Sequence, residues 1–154
     1  MYQFVFTQVR EWVSTAQMYQ GGIQLSDIAF FEDADKNVPI TIVNASNPGG
    51  DTANPNQAAW HNIADGNVTT KWYDGNMRLG IEGMPNPTST LVLHLAEPKP
   101  VVSYQLFSGN DVVRRDPVAW SFGILREDGS YEVLSTVDET SNPEAMLSEE
   151  RFTG

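Results

Sequence analysis

Alternation at a period of two recurs along the chain, and no stretch keeps a helical period over three turns. Tyr2, Phe4 and Phe6 share one face of a first strand that runs to about Arg10. Ile23 and Leu25 begin a second, after which the apolar phase slips to Ile28 and Phe30. A slip at Asp27 predicts a β-bulge that turns one side chain off its expected face. Ile40 and Ile42 mark a short third strand, and Leu91, Leu93 and Leu95 a fourth. Val102, Tyr104 and Leu106 follow; then Trp120, Phe122 and Ile124; then Tyr131 and Val133 after the turn 127–130. Phe152 marks a last strand. Seven or eight short strands in one domain predict an all-β fold, an antiparallel β-sandwich or jelly roll.

Two stretches break the pattern. Residues 44–56 are rich in Asn, Pro and Gly and read as irregular chain, with one helical turn expected at 57–62. Residues 74–87 form a second long loop carrying Gly75, Gly80, Gly83, Pro85 and Pro87. Loops of this length are usually functional or tightly pinned.

The 154 residues suit a single domain, 1–154, able to bury a core of its own. Cysteine is absent, which excludes disulfides, thiolate zinc sites and a cysteine nucleophile. With 20 acidic and 9 basic side chains the net charge is −11, and the halves either side of Met77 carry −5 and −6. The acidity is spread along the chain, and it disfavours nucleic acid as a partner. The longest apolar runs are far short of a membrane span, and the first residues show no signal peptide. The compartment stays open. The acceptor triplets at Asn44 and Asn67 would matter only along a secretory route.

The run Trp60-His61-Asn62-Ile63-Ala64-Asp65-Gly66-Asn67-Val68-Thr69-Thr70-Lys71-Trp72 resembles the signature of discoidin-like domains, also called coagulation-factor type C domains, which set an Asp-Gly ahead of a Thr-basic-Trp. Residues 91–98, 101–107, Asn110-Asp111, 115–120 and 127–134 are similar to the family's later motifs in order and spacing. The resemblance spans about residues 57–135 and implies a galactose-binding-like jelly roll. It also implies a non-catalytic module that binds sugars, phospholipid head groups or proteins, usually outside the cell. The segments 2–10 and 23–31 resemble the family's closing hairpin, which normally comes last. Here it comes first, so a rearranged strand order is expected, with Arg151-Phe152 leading back toward Tyr2.

The resemblance also implies a structural calcium held by the 65–70 loop and completed by an acid of the displaced hairpin. Asp65, Asn67 and Thr70 offer the hard oxygens such a cation takes, Gly66 permits the chain reversal, and Asp27 matches the acid. A buried Asp in a bulge is costly unless it is paired. Against this stands a simpler reading, in which Asp65 and Asn67 only cap a turn through Asx hydrogen bonds.

For the ligand, Tyr73, Asp74, Asn76 and Arg78 place a ring beside carboxylate, amide and guanidinium groups, a combination suited to sugar hydroxyls, or else form an ordinary exposed loop. Asn110, Asp111 and Arg114 offer similar chemistry, while Arg115 and Asp116 read as a pair pinning the loop ahead of Pro117. Trp72 and Trp120 read as core. The two histidines, His61 and His94, lie far apart and no catalytic motif occurs, so enzymatic activity has little support, a glycoside hydrolase being the form it would take. The expected function is a carbohydrate-binding module. The competing one is a structural or assembly domain that docks on a larger protein complex, with its acidic surface against a basic face.

Overall fold

The computed structural model describes residues 1–10, 22–50, 60–77 and 88–141. Two antiparallel sheets pack face to face, and among the described residues there is no α-helix. One sheet holds five strands in the order β4 (Ile42–Ser46), β6 (Ser89–Leu95), β1 (Tyr2–Val9), β8 (Pro117–Leu125) and β9 (Tyr131–Asp138). In the other, β2 (Ile23–Phe31) is central. It pairs with β3 (Pro39–Ile40) at one end, β5 (Trp72–Asp74) at the other, and β7 (Ser103–Ser108) along most of its length. The expected all-β sandwich is present.

The core follows from the alternation. Tyr2, Phe4 and Phe6 point from β1 toward the other sheet, and an aromatic cluster fills the gap. The Phe4 ring lies 4.7 Å from Phe122, 5.1 Å from Tyr104 edge-on, and 5.6 Å from Phe6. Tyr2 reaches Phe30 at 5.7 Å and Phe122 at 5.4 Å. Offset and edge-on ring contacts of this kind add to the gain from burial alone. Trp72 and Trp120 are buried, as expected, and the Trp120 indole N–H donates to the Tyr104 hydroxyl at 3.0 Å.

The bulge in β2 is where the phase slip puts it. Leu25 faces Ser108 and Asp27 faces Phe107, so β2 carries one extra residue between them. Ser26 fills that place and its hydroxyl donates to the Ser108 carbonyl at 2.8 Å. Before the bulge Ile23 and Leu25 face the core; after it Ile28 and Phe30 do. Asp27 is thereby turned to the outer face of the sheet, yet loops cover it and it stays buried.

Three expectations need correction. The 2–10 and 23–31 segments do not form a hairpin: they lie in different sheets and meet only across the core. Both hydrogen-bonding edges of β1 are already taken, by β6 and β8. Ile40 and Ile42 do not share a strand. The chain changes sheets at Thr41, Ile40 pairing with β2 and Ile42 with β6. Period two continues across the switch because the pattern records sidedness and not the partner. Part of the presumed irregular stretch is strand β4, whose Ala45 is buried. The helical turn is a 3-10 turn at Trp60–Ala64, and the Phe152 segment lies outside the described residues.

Phe4→Ala should cost about 3–5 kcal/mol of unfolding free energy, read by urea denaturation, since it empties the centre of the aromatic cluster. Val43→Ala, at a largely exposed position, should change it by under about 0.5 kcal/mol.

Candidate functional site

The 65–70 loop folds on itself. Asp65 accepts from the Asn67 backbone N–H at 2.8 Å and from the Thr70 hydroxyl at 2.7 Å. Asn67 accepts from the Thr69 N–H at 3.0 Å and from its hydroxyl at 2.6 Å. Gly66 has φ of +71°, a left-handed turn that glycine enters without strain. Asx hydrogen bonding is therefore real here, but it does not account for Asp27. That carboxylate is buried on the outer face of β2, accepts from the Ile28 N–H at 2.9 Å and from the Gly66 N–H, and lies close enough to Asp65 to feel its charge. Burial pushes its pKa up to about 6; the two backbone hydrogen bonds act the other way and the Asp65 charge adds to the rise. The structure thus brings all four expected metal residues, Asp27, Asp65, Asn67 and Thr70, to one place. Their donors are carboxylate, amide and hydroxyl oxygens, a set that fits a hard cation. Among the described residues no three His, Cys, Asp or Glu side chains gather in one group.

The ligand candidates divide. Tyr73 pairs with Gln24 in the sheet, is only 7% exposed, and has the Arg115 guanidinium 4.7 Å over its ring. Gly22 lies against the same ring, where an added Cβ would stand 2.3 Å from a ring carbon. Asp74 is fully buried, accepting from the Ser89 hydroxyl and, at 3.1 Å, from the Asn47 side-chain amide. Asn47 also donates to the Thr90 carbonyl at 2.7 Å, which ties the start of the glycine-rich stretch to β6. Tyr73 and Asp74 are therefore corrected from open ligand contacts to packing and hydrogen-bonding elements. Strand β5 is covered on both faces, so its three residues show no alternation for the sequence to betray. Asn76 falls in the 3-10 turn Gly75–Met77, and Arg78 lies outside the described residues.

Asn110 and Asp111 are exposed and Arg114 half-buried, at the end of the sandwich where β2 begins and β7 ends. Asp111 pairs with Lys71 at 2.5 Å, joining this loop to the one before β5. Desolvation acts upward on Asp111, but hydrogen bonds from Lys71, Gln24 and the Val112 N–H outweigh it and hold the carboxyl at about 2. Gln24, fully buried, also donates to the Val112 carbonyl at 3.1 Å, and Gly109 leaves room for its amide. Below the loop, Asp116 faces Arg10 at 3.8 Å. Gln24 and Lys71 were not legible as site residues. A lone Gln in a strand carries no motif, and the Thr-Lys-Trp run marks Lys71 without naming Asp111 as its partner.

At the opposite end, a cavity of about 440 Å³ is lined by Tyr2, His94, Leu95, Pro98, Lys99 and Ile124. The Tyr2 hydroxyl fixes its wall, donating to the Lys99 carbonyl and accepting from the Val101 N–H, each at 3.0 Å. His94 stands in β6 opposite Asn44, and His61 sits exposed on the 3-10 turn.

No protein-family model, curated protein or solved structure matches the chain. No helix among the described residues is long and apolar enough to cross a membrane.

The Asp27 geometry has a consequence for pH. Its folded-state pKa, about 6, exceeds the ordinary 3.8. The ionised carboxylate therefore costs stability above about pH 6, and the cost fades as pH falls toward 4. In chelator at pH 7, Asp27→Asn should be more stable than the native chain by up to roughly 3 kcal/mol, the gap closing by about pH 4. Urea denaturation across this range checks it. A variant less stable at pH 7 would refute the account.

Proposed function

We propose that this domain is a non-catalytic binding module of the discoidin type, with a galactose-binding-like jelly roll, that takes carbohydrate through loops at one end of the sandwich. The observation that carries the reading is the tie between two of the resembling motifs. Lys71 of the Thr-Lys-Trp run reaches Asp111 of the Asn-Asp pair, and Gln24 holds the same loop from below. A polar loop fixed this way keeps Asn110, Asp111 and Arg114 in one arrangement, which lowers the ordering cost of binding. Arg114 and Asn110 donate to hydroxyl and ring oxygens, and Asp111 accepts from hydroxyls.

A calcium ion belongs to this reading as a structural element. Asp27, Asp65, Asn67 and Thr70 would hold it, and its charge would relieve the crowding of the two carboxylates. A ligand that binds only the folded state raises its stability by mass action. The melting midpoint should thus rise when calcium replaces chelator, and Asp27→Asn should abolish the rise. Equal midpoints for the native chain would remove calcium from the proposal.

One observation favours the second reading, an assembly domain docking on a larger protein. Strand β9 pairs with β8 alone among the described residues and exposes Val133 and Leu134. A glycan array run beside a pull-down from native extract separates the two. Glycan binding reduced about tenfold or more by Arg114→Ala supports the carbohydrate module. A blank array with a stoichiometric protein partner, released by added salt, supports the assembly domain.

A further inference from the structure

Burial of Tyr73 leaves the carbohydrate reading without the ring it started from, and the fold supplies another. Trp60 is 40% exposed, whereas Trp72 and Trp120 are at 0% and 7%. It opens the 3-10 turn Trp60–Ala64, which closes the side of the sandwich between β4 and β2. Ile63 is fully buried in the core and anchors the turn from below. From the side, the Asn62 amide donates to the Lys71 carbonyl at 2.9 Å. The exposed indole thus stands on a short, twice-fastened base. His61, also exposed, sets its ring edge-on to it at 5.5 Å and 87°.

We infer that Trp60 and His61 form a stacking platform for a neutral pyranose ring, an inference that rests on the carbohydrate reading above. A flat indole held in place presents a π-face to the C–H bonds of a sugar ring, and two χ angles keep the entropy cost low. The adjacent imidazole can donate to or accept from a ring hydroxyl. Charge selects among flat or ring-shaped ligands. A chain of net charge −11, with Asp65 exposed just after the turn, repels nucleotides and acidic sugars and leaves neutral pyranosides.

The test uses the whole chain with methyl β-galactoside and methyl β-glucoside at millimolar concentration, followed through the indole N–H resonances, with the Trp60 signal assigned from Trp60→Phe. The leading glycans of the array are then titrated against Trp60→Ala, Trp60→Phe, His61→Ala and Arg114→Ala. The Trp60 resonance should move while those of Trp72 and Trp120 hold still. Trp60→Ala should weaken binding by about tenfold, Trp60→Phe by less, at an unchanged melting midpoint. If Trp60→Ala and Trp60→Phe lose affinity equally, the stacking role is refuted. Binding that survives Trp60→Ala but not Arg114→Ala overturns the platform and leaves the carbohydrate module standing. A native chain that binds no glycan overturns both.

Discussion

Strand β2 must bury both of its faces, and the rest of the domain is arranged around that requirement. Its inner face packs Ile23, Leu25, Ile28 and Phe30 against the rings of β1 and β8. Its outer face carries Gln24, Ser26 and Asp27, polar groups that cannot be left dry without partners. Each finds a partner, in a covering loop or at the neighbouring strand. Gln24 takes the Val112 carbonyl, Ser26 the Ser108 carbonyl, and Asp27 the Ile28 and Gly66 backbone. The bulge makes this division possible. Without the extra residue, the alternation that keeps Leu25 inward would send Asp27 inward too.

The loops that cover β2 are therefore positioned by the sheet's own need for hydrogen bonds. That is why a stretch of chain with few regular elements holds a defined shape near 65–70 and 109–116. The same logic separates the two carboxylates of the region. Asp111 accepts from a cation and two further donors and is an anion throughout the ordinary pH range. Asp27 lies under a loop with a second carboxylate nearby, and its charge is tolerated only at a cost. Two acids of one type, set some residues apart, are thus driven in opposite directions by what covers them.

Much of the fold could be read from the chain because the inner faces of β1, β6 and β8 alternate cleanly. Even the β2 bulge showed as a phase slip between Leu25 and Ile28. Legibility failed where both faces are covered, as in β5, where edge residues are polar, as at Asn44, and where the chain changes sheets at Thr41 without breaking period. Strand pairing was less legible still. Tyr2, Phe4 and Phe6 announce a face, but nothing in them says that β6 and β8 will flank it. At the candidate site the acids were legible as oxygen donors. Whether a ring is open was not, because that is set by the backbone element carrying Tyr73 or Trp60 and not by the ring itself.

That difference is physical. A residue in a strand covered on both sides has its side chain enclosed whatever its chemistry, and Tyr73 meets Arg115 on one side and Gly22 nearby. A residue at the start of a one-turn 3-10 segment has a neighbour beneath it but nothing obligatory above. Ile63 can then satisfy the core while Trp60 stays outside it. Large aromatic residues are thus sorted into core and surface by the backbone that carries them. An acidic chain that keeps a large indole exposed beside a rigid loop forgoes about 1.5–3 kcal/mol of burial at that position. A partner of complementary shape that covered the indole would recover part of that free energy.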